Sequence, residues 1–226
     1  MDYISSYVFP MSEHTISTNM VCGISLGGHA AWQCLISNPR ITTAIVIIGC
    51  PDYIALMSDR ARLSKLSTWT NGIPPGSHFL ASMEFPTGLV EAVKKYDPAG
   101  LFLGESSSHN KDAYSLEPSE AEQKRLLPLM KNALQGKRVL NLAGGADKLV
   151  PYKCGEPFLK WLKKSTAKEG WFGDGDFSIK DIVFEGVGHE MSPGMAKELK
   201  MFVAETLEQL SSESTRKTSK MWLSTV

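Results

Sequence analysis

Residues 18–49 constrain the fold more than any other part of the chain. The run ITTAIVIIG at 41–49 is apolar and β-branched almost throughout, as strands covered on both faces are. Ahead of it, residues 26–37 place Ala30, Ala31, Cys34 and Leu35 at helical spacing and stop at Asn38-Pro39. Ahead of that, residues 18–22 are short, apolar at their end and bounded by Gly23, which reads as a strand entering a turn. Strand, helix and strand in this order make a βαβ unit, so the fold class is α/β, a parallel sheet with crossover helices.

The alternation resumes at 137. KRVLNLAGG at 137–145 is a strand running into a glycine-rich turn, 156–168 a helix, 179–185 a strand, and 193–210 a helix. Phe158, Leu159 and Leu162 give the first helix an apolar face, as Met195, Leu199, Phe202, Val203 and Leu207 give the second. Between the two sheet portions, glycine- and proline-rich turns at 72–76 and 96–100 separate helical pieces. The clearest piece spans 119–134, opening with Ser119 and Glu122 as a capping pair and expected to bend or end at Pro128. The expected division is 1–50 and 137–210 as sheet core, 51–136 as an inserted helical cap, and 211–226 as a flexible tail.

Composition removes several function classes. Twenty-four basic and twenty-four acidic side chains cancel, so no charge excess points to nucleic acid or an anionic membrane. No apolar run reaches the roughly 18 residues of a membrane span, and MDYISSYVFP lacks the pattern of a secretory signal. The four cysteines, Cys22, Cys34, Cys50 and Cys154, are unevenly spaced, and the first three stand among apolar residues. They read as buried thiols in a reducing, cytoplasmic compartment rather than as a disulfide framework or metal ligands. No metal or other cofactor is expected, since neither paired His/Cys ligand spacing nor a phosphate-cradling loop occurs. The C-terminal Ser224-Thr225-Val226 is read as a frayed end.

Gly23-Ile24-Ser25-Leu26-Gly27 is G-x-S-x-G between a strand and a helix. Five residues alone prove little. In that context, glycines on both sides let the backbone turn tightly and lift the serine hydroxyl clear of the strand's end. A serine nucleophile needs a base, and the base an orienting acid. Of five histidines, His189 alone follows a strand in a glycine-rich turn, whereas His29 belongs to the side of the helix. For the acid, Asp147 in LAGGADKLVP stands just past a strand, and Asp52 in GCPDY is its rival; either alone could be a turn residue or helix cap. The chain order Ser, Asp, His favours Asp147.

At these three motifs, over about residues 18–210, the chain resembles the α/β-hydrolase superfamily. The resemblance implies Ser25, Asp147 and His189 as a catalytic triad, the backbone N–H of Leu26 as an oxyanion-hole donor, and the insertion as a cap. In that family further strands precede the nucleophile strand, and a loop among them gives a second oxyanion donor. Twenty-four residues precede Ser25 here. The expectation is therefore an N-terminally truncated form, or one completed by another chain, with an exposed sheet edge that invites self-association.

Trp69, Phe79, Met83 and Phe85 in the cap are candidates for substrate binding, with cap packing as the alternative. The expected partner is a small-molecule ester, thioester or lactone. A non-catalytic binding protein and an inactive fragment remain the rival readings.

Overall fold

The computed structural model describes residues 3–104 and 117–223, and for 213–223 the backbone alone. His109 and the C-terminal Ser224-Thr225-Val226 lie outside the described residues.

Four strands form one parallel sheet in the order β1-β2-β3-β4: Asn19–Ile24, Ile41–Ile47, Arg138–Gly144 and Ser178–Phe184. The register pairs Cys22 with Ile45, Ile45 with Leu140, and Leu140 with Lys180, so the four C-terminal ends share one edge. That edge is where open α/β sheets place their ligands. After a short α1 (Ile4–Val8), α2 (Leu26–Ser37) connects β1 to β2 and α8 (Tyr152–Thr166) connects β3 to β4. Between β2 and β3 come α3 (Tyr53–Leu63), α4 (Ser67–Thr70), α5 (Thr87–Tyr96), α6 (Pro98–Leu103) and α7 (Glu120–Leu134).

Alternation along the central strands divides the core. Ala44, Val46 and Val139 join one buried cluster with Trp32 and Leu35 of α2, Met130 of α7 and Phe158 of α8. The intervening Ile45, Ile47, Leu140 and Leu142 are buried too and point to the opposite face. Burial on both faces explains why 44–47 is apolar throughout. Phe158 is the hub of the first cluster: it stacks on Phe102 at 6.4 Å and receives Trp32 edge-on at 6.4 Å.

The insertion is not one layer. Ala99 and Phe102 of α6 and Leu126, Met130 and Leu134 of α7 belong to the sheet's own cluster. A second cluster holds Ile54, Ala61, Phe79, Phe85 and Val93, from α3 to α5, with Trp69 and Tyr53 against it. Ser119 caps α7, its hydroxyl accepting from the Glu122 N–H at 3.3 Å, and the helix continues through Pro128.

Two polar ties secure the connections. Lys137 is buried, and its Nζ donates to the carbonyls of Leu35 and, at 3.0 Å, Asn38, which are end carbonyls of α2. On β4, the Asp181 carboxylate accepts from Asn141 Nδ2 at 2.9 Å, Tyr152 Oη at 2.8 Å and Lys163 Nζ at 2.6 Å. It joins β3, β4 and α8, and burial followed by this carboxylate pushes the Tyr152 phenol well above its ordinary range.

The thiols differ from the sequence expectation. Cys50 and Cys154 are buried, but Cys22 and Cys34 are exposed. Cys22 lies on β1, an end strand of the sheet, and Cys34 lies on the side of α2 away from it.

The chain separates into two units, Met1–His189 and Glu190–Val226. The second consists of a turn and α9 (Pro193–Leu223), where the Ser192 hydroxyl accepts from the Met195 N–H at 3.2 Å. α9 runs beyond the end expected near 210, because the polar residues after it include no glycine or proline to stop a helix. Among the described residues no helix is long and apolar enough to cross a membrane.

Candidate active site

Ser25 occupies the turn between β1 and α2 with φ +56° and ψ −117°, a left-handed conformation that a residue with a Cβ rarely adopts. The strain is held from both sides. Its N–H donates to the Ile47 carbonyl at 2.9 Å, and its carbonyl accepts from the Gly28 N–H at 2.9 Å. Gly23 is required for close approach: a Cβ there would stand 1.9 Å from the Gly27 carbonyl oxygen. Gly27 itself is not crowded, since a Cβ on it would meet nothing within 4 Å. The second glycine of the motif thus contributes its backbone position rather than its lack of a side chain.

From this turn a line of hydrogen bonds crosses the sheet edge. Ser25 Oγ lies 2.8 Å from His189 Nε2, and His189 Nδ1 lies 2.8 Å from Asp147 Oδ2. The Asp147 side chain is fully buried, and its other oxygen accepts from the N–H groups of Leu149 at 2.8 Å and Val150 at 2.9 Å. These bonds fix the carboxylate's plane. The His189 side chain keeps 22 % of its surface open, enough for a small molecule to reach it. All three residues lie within the first unit.

The rival residues have other partners. Asp52 caps α3, accepting from the Ala55 N–H at 2.8 Å. His29 is buried, with Nδ1 2.6 Å from the Cys50 carbonyl and its ring edge-on to Tyr53; burial holds its pKa below the ordinary histidine value. Near Asp52 lies a carboxylate that the sequence reading misses. Asp97 is buried and accepts from the Tyr53 N–H at 3.3 Å. Burial first, and the nearby Asp52 charge second, push its pKa well above the usual carboxylate range. Nothing in YDPAG distinguishes it from a surface helix cap.

Among the four candidates for substrate contact, Phe79 and Phe85 take the packing role given above as the alternative. Phe79 and Phe85 are 2 % and 0 % exposed and pack on each other at 5.4 Å. Trp69 meets Phe79 edge-on at 6.2 Å, and Met83 is 91 % exposed. Phe79 and Phe85 therefore hold α3 to α5 together. Leu26, by contrast, opens α2 with a side chain 73 % exposed, and its N–H is among the first of a helix, which have no partner within it. Among the described residues no cluster of three His, Cys, Asp or Glu side chains is arranged to hold a metal ion.

The Ser25 turn, the Asp147 loop and the His189 loop thus follow β1, β3 and β4 of one parallel sheet. The described sheet is a four-stranded parallel one with helical crossovers, an α/β fold. A scan against protein-family models gives no match, and a search of curated proteins gives none. Among solved structures, the chain is similar to SOBER1 of Arabidopsis thaliana, with 13 % identity over 91 % of this chain and 61 % of that one and a TM-score of 0.43. It is similar to TT1662 of Thermus thermophilus, with 19 % identity over 84 % and 54 % of the two chains and a TM-score of 0.44. A puromycin-hydrolysing peptidase of Mycobacterium tuberculosis shares 18 % identity over 76 % of this chain and 18 % of its own, with a TM-score of 0.40. The chain therefore spans less than two thirds of each.

Proposed function

We propose that the protein is a serine hydrolase acting on an ester, thioester or lactone of a small molecule. The observation that carries this reading is the hydrogen-bonded line from Ser25 Oγ through His189 to the buried Asp147. Ser25 attacks the carbonyl carbon while its proton passes to His189 Nε2, and Asp147 holds the imidazole with Nδ1 protonated. The developing oxyanion is met by the N–H of Leu26 at the positive end of α2. Collapse expels the alcohol or thiol, which takes its proton from His189. Water, deprotonated by the same nitrogen, then attacks the acyl-serine, releasing the acid and restoring the hydroxyl.

The direct test is intact mass after treatment with a fluorophosphonate. One adduct on the folded chain and none on Ser25→Ala supports an activated hydroxyl; an adduct on Ser25→Ala, or none on a folded parent, overturns the assignment.

A second reading, that this chain alone turns over weakly or not at all, is favoured by the place of β1 at the end of the described sheet, where Ile24 is 50 % exposed. One assigned oxyanion donor in place of two costs on the order of 100- to 1000-fold in turnover. That edge would pair with another strand, including one from a second copy. Light scattering across a concentration series tests this, since Ile24→Lys should hold the chain as a monomer if the edge self-associates. The four free thiols favour a cytoplasmic site of action.

A further inference from the structure

A groove of about 570 Å³ runs along the side of α2 that faces α5. Leu26 stands at one end and Ser37 at the other, about 16 Å apart at the rise of a helix. Its floor includes Ala30 and Cys34, and its α5 wall includes Leu89 and Ala92. No Asp, Glu, Lys or Arg lines it. Length, volume and lack of charge suit an extended apolar chain, and pockets for small molecules fall in the same range, about 300 to 1,000 Å³.

Its position decides which part of a substrate lies there. The near end is Leu26, next in sequence to Ser25, and the Leu26 N–H would donate to the oxygen of the acyl group on Ser25. The leaving group must instead lie beside His189, which protonates it. No residue of the Asp147 or His189 loops lines the groove; its walls come from α2, α3 and α5.

We propose that this groove binds the acyl chain of the substrate, so that the substrates are esters or thioesters of medium-length fatty acids. The inference rests on the reading of Ser25 as nucleophile. Each methylene seated in the groove should raise kcat/KM on the order of four-fold, the factor expected for burying one CH₂.

Cys34 is an exposed thiol inside the groove, and Cys22 is an exposed thiol outside it. Alkylation by N-ethylmaleimide, mapped by peptide mass with and without decanoate below its micelle threshold, therefore reads occupancy without turnover. Decanoate should slow Cys34 at least ten-fold, leave Cys22 unchanged, and act equally on Ser25→Ala; butyrate should do little. Ala92→Asp, which sets a charge on a half-exposed helix position of the wall, should remove the protection with circular dichroism unchanged. Equal effects on both thiols, protection by butyrate as strong as by decanoate, or Cys34 protection that grows with protein concentration without decanoate would overturn the proposal, the last giving the groove to a second copy. The fluorophosphonate test separates the two levels. Ser25 labelled with Cys34 unprotected sinks the groove alone, while Cys34 protected with Ser25 inert sinks the substrate reading beneath it.

Discussion

The N–H of Ala146 donates to the Val187 carbonyl at 2.9 Å, binding the loop that carries Asp147 to the loop that carries His189. Gly145 adds a second tie, its N–H donating to the Phe184 carbonyl at 2.9 Å. The acid and the histidine are thus positioned by main chain before their side chains meet. The approach leaves no space at Gly144, where a Cβ would lie 2.5 Å from the carbonyl oxygens of both Val187 and Gly188.

Gly144→Ala should therefore push the two loops apart. A displacement near 1 Å at a catalytic group costs on the order of 100-fold in rate, so the fluorophosphonate labelling rate of Ser25 should fall by that order. Thermal unfolding should move only a few degrees, and an unchanged labelling rate would show that the loops adjust freely.

Asp147 and Asp52 separate by function. Asp147→Asn keeps the shape but removes the charge that favours the required tautomer, and kcat should fall on the order of 10⁴-fold. Asp52→Asn keeps an accepting oxygen for the Ala55 N–H, and asparagine caps helices well. Its kcat should stay within about three-fold of the parent. Parallel kinetics on the two variants decide the matter, and the reverse order would exchange the two acids.

Asp97 should leave a signature in the pH dependence of stability. Its folded pKa is raised, so the native state keeps a proton that the unfolded chain releases near pH 4. Stability from this group is present at low pH and lost as pH rises through the folded pKa, with a slope of at most about 1.4 kcal/mol per pH unit. Asp97→Asn cannot ionise and should gain on the parent as pH rises above about 4, until the folded pKa is passed. Urea denaturation of both chains at several pH values measures the gap, and a constant gap would mean that Asp97 is ionised in the fold.

What the sequence makes legible follows periodicity. The four strands, α2 and the three loop motifs stand out because covered parallel strands need unbroken apolar runs and their C-terminal turns need glycine. Packing partners are less legible. Phe79 and Phe85 have a composition that serves a pocket or a core equally, and only their mutual burial distinguishes the two. The apolar company of Cys22 and Cys34 does not show that one lies on an end strand and the other on a groove wall. Asp97 carries no sequence signal, because its environment comes from residues 44 positions away.

Lys137 is the same case in a residue that holds α2 in place. The helix ends with carbonyls that lack partners within it, and the buried ammonium supplies donors to Leu35 and Asn38. Burial lowers its pKa, so the unfolded chain binds the proton more tightly, and this group's cost to stability eases as pH rises toward 10.5. Lys137→Met removes that cost but takes the ammonium from the buried Leu35 carbonyl, at about 1 to 3 kcal/mol, while the Asn38 carbonyl keeps the Ile41 N–H at 3.2 Å. The loss at Leu35 should outweigh the relieved desolvation, because the ammonium in the parent is compensated by two acceptors. A net loss of about 1 to 2 kcal/mol is expected, with the rise in stability as pH climbs toward 10.5 lost in the variant. Because Ser25 stands at the other end of the same helix, a loss of fluorophosphonate labelling larger than the loss of folded protein would show that the cap also sets the position of the nucleophile.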